Sequence, residues 1–179
     1  MADPHTATKH QFVDAALRAL TTMDHLMAGA GQAKQKISPS EMHAYAVNPS
    51  VQASPKLLHA LKNDPDIQTD FRRLLDNTAR YHLPQVAAAS SGDITSRDSA
   101  GCKISFRPSR ADDHQMYVII ECIGDVTFSP EILFVYTATG DTERQKLPPA
   151  HNGRIQLLLD RESGIAKGLL DINSEVYLK

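Results

Sequence analysis

The hydrophobic period of this chain changes once along its length. Before Pro84 the apolar residues recur at three- and four-residue steps, and after Gly101 they alternate with polar ones. A step near 3.6 belongs to a helix with one buried stripe, and a step of 2 to a strand with one buried face. Helices followed by strands, rather than the two interleaved, point to an α+β fold and away from a parallel βαβ sheet. The expected organisation is a small N-terminal helical bundle over 1–84 and a linker over 85–100. An antiparallel β-sandwich of immunoglobulin-like type follows over 101–179.

The helical half divides at its capping signals. Phe12, Val13, Ala16, Leu17, Leu20, Met23 and Met27 form one stripe over 8–28, ended by Gly29 and Gly31. Ser38-Pro39-Ser40-Glu41 reads as a helix start, with Ser38 as N-cap, Pro39 at the first position and Glu41 closing a capping box. Ser54-Pro55 and Asp64-Pro65 repeat the device before two further helices, the last ending near Pro84. Short connections favour a compact bundle. Two exposed-face candidates for partner binding stand out: Met23, Leu26 and Met27 on the first stripe, and Phe71, Arg72 and Arg73 on the last helix.

The segment 37–77, ISPSEMHAYAVNPSVQASPKLLHALKNDPDIQTDFRRLLDN, carries a Glu41-to-Tyr45 turn, an Ala60-Leu61 to Asp64-Pro65 step and then a Leu-rich helix. In these features it resembles the cytoplasmic domains of bacterial anti-sigma factors. The His-x-x-x-Cys-x-x-Cys motif of the zinc-containing members is missing, and a long additional helix precedes the segment. The resemblance implies a regulatory role and a protein partner, a sigma factor or another signalling protein.

In the second half Cys102, Ile104 and Phe106 alternate with polar neighbours, as do Val118, Ile120 and Cys122. A hairpin turning about Asp112 sets Phe106 against Val118, Ile104 against Ile120 and Cys102 against Cys122, with every apolar member on one face. Further strands are expected at 126–128, 132–137, 143–147, 154–159, 165–172 and 176–178, separated by turn signals such as Thr139-Gly140-Asp141 and Asn152-Gly153. The 165–172 segment also fits a helical turn, which would open one edge of the sheet. Both thiols are expected in the core, poorly reactive, and bridged only on mild oxidation after partial opening.

The charge balance narrows the function. The first 85 residues carry nine Lys/Arg against eight Asp/Glu, and the remainder ten against thirteen, so neither half presents the clustered cations that nucleic acid requires. No apolar run reaches membrane-spanning length, and the start MADPHTATKHQ has no signal-like core, which places the expected location in the cytoplasm. The eight histidines never adopt metal-ligand spacing, and no phosphate loop or nucleophile elbow occurs. With no cofactor, metal or catalytic residues expected, the reading is a non-enzymatic adaptor or regulator. Its helical half grips a protein partner and its β half serves as a second recognition or oligomerisation module. The alternative is a small-ligand-binding or hydrolytic domain with a site between the two halves.

Overall fold

A computed structural model describes residues 37–86, 94–123 and 129–179 of the chain. The stripe over 8–28 with Met23, Leu26 and Met27, and the strand expected at 126–128, lie outside the described residues. Ile37–Lys179 forms one compact unit.

Three helices come first: α1 (Pro39–Val47), α2 (Pro55–Asn63) and α3 (Pro65–Thr78). Each has proline in its first turn, where a missing N–H costs nothing. Ser54 accepts from the Leu57 N–H and Asp64 from the N–H groups of Asp66 and Ile67, so two of the expected caps form. The third forms differently. Ser38 makes no side-chain cap to α1, and Glu41 accepts instead from the Ser54 hydroxyl at 2.5 Å. The carboxylate therefore ties α1 to the start of α2 rather than closing a capping box.

The strands are β1 (Tyr81–Leu83), β2 (Ser96–Ser99), β3 (Cys102–Pro108), β4 (Gln115–Cys122), β5 (Ile132–Tyr136), β6 (Thr142–Lys146), β7 (Arg154–Asp160) and β8 (Glu175–Leu178). A short helix, α4 (Gly164–Leu170), separates the last two. Two antiparallel sheets result, sheet A in the order β1-β8-β5-β6 and sheet B in the order β2-β3-β4-β7. The β3–β4 register matches the expected one, with Cys102 opposite Cys122, Ile104 opposite Ile120 and Phe106 opposite Val118. Asn152 and Gly153, at φ 53° and 72°, make the tight turn into β7, a conformation that favours this residue pair.

The sheets share one core. Ile104, Val118, Ile120, Ile155 and Leu157 of sheet B meet Leu83, Leu133, Val135, Val176 and Leu178 of sheet A, with Ile165, Ala166 and Leu169 of α4 closing one side. A second core lies on the other face of sheet A. There Ile132, Phe134 and Tyr177 pack beneath Met42, Tyr45, Leu57, Leu61, Phe71 and Leu75 of the three helices. The order of layers is helices, sheet A, sheet B. Sheet A is covered on both faces, so β5 and β8 are apolar at successive positions rather than alternating.

Three expectations are corrected by this architecture. The helices and strands do not separate at 85–100: β1 lies before that interval and pairs with β8, β2 lies inside it and pairs with β3, and the helices share a core with sheet A. The sandwich holds but the immunoglobulin order does not. With strands lettered in chain order, an immunoglobulin sandwich places A-B-E-D in one sheet and C-F-G in the other. Here β2, β3 and β4 stay together in one sheet, and β8 enters the middle of the other. At 165–172 the helix is formed: Ser163 caps it through the Ala166 N–H, and Ile165, Ala166 and Leu169 point to the core.

Candidate interaction surface

Helix α3 was expected to offer Phe71, Arg72 and Arg73 to a partner, and the structure gives each a different fate. Phe71 is fully buried and locks with Tyr45 and Phe134, the three ring centroids lying 5.7 to 5.9 Å apart. It belongs to the core. Arg72 reaches across to β8, where Nη2 donates to Glu175 Oε1 at 2.6 Å and Nε to Oε2 at 3.1 Å. Arg73 alone of the three faces the solvent, its side chain 72% exposed and paired with Asp70 one turn earlier.

Around Arg72 a polar cluster assembles that the sequence pattern did not reveal. Tyr177 Oη lies 2.7 Å from Glu175 Oε2 and 2.9 Å from Asp76 Oδ1. The His82 ring stacks on Tyr177 at 4.5 Å, with Nε2 3.7 Å from Glu175. Glu175 is buried, and a carboxylate in that position needs its oxygens satisfied. The Arg72 fork and the Tyr177 phenol satisfy both. Burial, and then the bond to Glu175, push the Tyr177 phenol well above its ordinary range. With its lone pairs already engaged, Glu175 has a clasping role, joining α3 to β8 and, through His82, to β1.

Arg144 of β6 is a second clamp. Its guanidinium lies over the Tyr45 ring at 4.6 Å and donates to the carbonyls of Asn48 and Val51, both at 2.8 Å. This fixes the α1–α2 connection against sheet A. Burial raises the Tyr45 phenol, and the Arg144 charge partly opposes the shift. A third arginine, Arg97 of β2, is almost completely buried. It donates to the carbonyls of Leu169 and Ser174 at 2.8 Å and to that of Asp171. The partners of Arg72, Arg97 and Arg144 all lie tens of residues away in sequence, so no local pattern marks them.

Of the two thiols, Cys102 is buried as expected, and Cys122 is only half-buried. Burial, reinforced by Cys122, pushes the Cys102 thiol up to about 12. The Asp112-Asp113-His114 tip is an exposed turn in which Asp112 accepts the backbone N–H of His114 at 2.9 Å. Among the described residues no group of three or more His, Cys, Asp or Glu side chains gathers to hold a metal ion. Nor is any helix among them long and apolar enough to cross a membrane.

Among the described residues the outer face of sheet B is open. The helices spend their apolar sides on sheet A, whereas the outward residues of β3, β4 and β7 stay half-buried or exposed. Tyr117 stands between Arg107 and Leu158 in one cross-strand row, and Ile119 between Ser105 and Gln156 in the next. Leu158 is 49% exposed. The third row runs Asp98, Lys103, Glu121, Arg154, and its charges pair among themselves: Lys103 with Asp98 at 3.5 Å, and Arg154 with Glu121. An apolar centre of Tyr117, Ile119 and Leu158 thus has a self-neutralised charged margin along one side. Compared with known proteins, the chain matches no family model, no curated protein and no solved structure.

Proposed function

We propose that this chain is a non-enzymatic protein-interaction module of the adaptor or regulator type, acting in the cytoplasm, with the outer face of sheet B as its recognition surface. One observation carries the reading. Among the described residues the middle sheet of a three-layer stack is covered twice, and the outer sheet has an open face on which Tyr117, Ile119 and Leu158 adjoin. An apolar, aromatic-containing centre with a polar margin is the anatomy of a protein interface, and aromatic anchors dominate such interfaces energetically. The two unpaired thiols agree with a reducing compartment. The helices contribute from the far side: their apolar stripes are occupied by sheet A, leaving Arg73 as the exposed member of the expected patch.

The test is affinity capture from the native host with quantitative mass spectrometry. Wild type is compared with a Tyr117→Ala/Leu158→Ala variant and with Arg73→Glu. A stoichiometric partner that the double variant loses and Arg73→Glu keeps supports the proposal. No such partner, or loss only with Arg73→Glu, overturns it. The narrower version, drawn from the resemblance of 37–77, takes that partner to be a sigma factor. It is abandoned if purified protein binds no host sigma factor at micromolar concentration.

A further inference from the structure

Cys102 and Cys122 face each other at the end of the β3–β4 hairpin remote from its turn. Just beyond them the Ile123 N–H donates to the Gly101 carbonyl at 2.7 Å, which makes the cysteines a non-hydrogen-bonded pair of the ladder. Such pairs bring their Cα atoms to about 4.5 Å with side chains at closest approach, and a disulfide requires about 4.4 to 6.8 Å. Both side chains pack on the inner face, Cys102 within the core and Cys122 against it. The backbone therefore already has the geometry of a bridge. Cys102 is 1% exposed, whereas Cys122 is half-buried at the margin of the core.

We propose that Cys102 and Cys122 are a redox-active dithiol, closed in the folded protein by a small-molecule disulfide that enters at Cys122. In the first step Cys122 gives its proton to water, and the thiolate attacks one sulfur of the reagent RSSR. The reagent S–S bond breaks, RS⁻ departs and takes up a proton, and Cys122 carries a mixed disulfide. In the second step Cys102 loses its proton and attacks the Cys122 sulfur, expelling the remaining RS⁻, which is protonated in turn. Two protein thiols are oxidised to one disulfide, and RSSR is reduced to two RSH.

The structure sets the order. A reagent reaches only Cys122. Burial raises the Cys122 thiol and its interaction with Cys102 partly offsets that, while burial and the neighbouring sulfur push Cys102 further up. Closure by Cys102 is handicapped by its high pKa but intramolecular, because the two residues are directly opposed in the ladder. Opening of the sheet, which the pattern of buried cysteines suggested, is not required.

Full-length reduced protein incubated with oxidised glutathione, then acid-quenched and alkylated, reads this out by intact mass and peptide mapping. The expected product has lost two hydrogens, with a transient glutathione adduct confined to Cys122 and a rate that stays flat in urea below the unfolding transition. Cys102→Ser keeps a stable adduct on Cys122, and Cys122→Ser remains unmodified under the same conditions. An unreacted wild type, an adduct that persists in wild type, first modification at Cys102, or a rate that climbs with urea overturns the proposal. The wild-type time course decides the matter even if either serine variant fails to fold.

Discussion

Arg97 shows what one side chain does in this protein. It sits in a four-residue strand with little apolar content, SRDS, and its guanidinium fills the gap between β2 and the turn after α4. Replacing it by leucine leaves three carbonyls without their donor, and each unsatisfied buried group costs about 1–3 kcal/mol before relaxation. Arg97→Leu is expected to lower the unfolding free energy by about 3 kcal/mol in urea titrations, and Arg97→Lys to recover only part of it, because an ammonium does not reproduce the planar fork. Cys102 supplies the pH dependence. Its folded value of about 12 lies above the ordinary value of about 8.5. Folding therefore favours the neutral thiol: that stability is fully present below about pH 8.5 and is lost as pH rises towards 12. Tyr177, also raised, acts with the same sign. Unfolding free energies measured at pH 8 and pH 11 should fall with pH, and Cys102→Ala should flatten the slope. The cysteine pairing was legible in the sequence because strand register follows from alternation. Arg97 and Glu175 were not, since their partners are fixed only by tertiary contacts.

Among the elements, those with local causes were readable. The three proline-headed helices, the β3–β4 hairpin and the Asn152-Gly153 turn each follow from chemistry within a few residues. β1 and β2 were missed because three- and four-residue strands hold too few positions to display a period, and their pairing to β8 and β3 defines them. The run Ile132-Leu133-Phe134-Val135 did carry a signal that the two-layer expectation overlooked: four successive buried apolar residues mark a strand covered on both faces. Helix α4 needs Gly168 for its approach to that strand. A Cβ there would fall 2.7 Å from Val135 Cγ1. Gly168→Ala is therefore expected to cost about 1–3 kcal/mol by overpacking, despite alanine's better helix propensity. A thermal melt that shifts upward instead would mean that α4 moves away freely.

At the level of the whole molecule, one compact unit over Ile37–Lys179 replaces the expected division near residue 100. The switch of period is real, yet it separates layers rather than domains, because the helices use sheet A as their base. Limited proteolysis tests the difference. The 94–100 stretch, anchored by β2 and Arg97, should resist cleavage as long as the hairpin that follows it does. Early cutting within 94–100 that releases a stable 101–179 fragment would restore the two-domain division.

The place of β8 in sheet A bears on how the fold is reached. Lying between β1 and β5, it is the only strand that joins them, and Tyr177 also carries the floor beneath α3. Among the described strands β1 has no neighbour in its own sheet until this late segment has arrived, and Tyr177 is missing from the base on which the helices rest until then. The β3–β4 hairpin can assemble early from nearby residues. The helical layer must wait for contacts spanning most of the unit, a topology that favours slow, strongly cooperative folding. β8 works as a keystone: without it the arch has two halves and no crown.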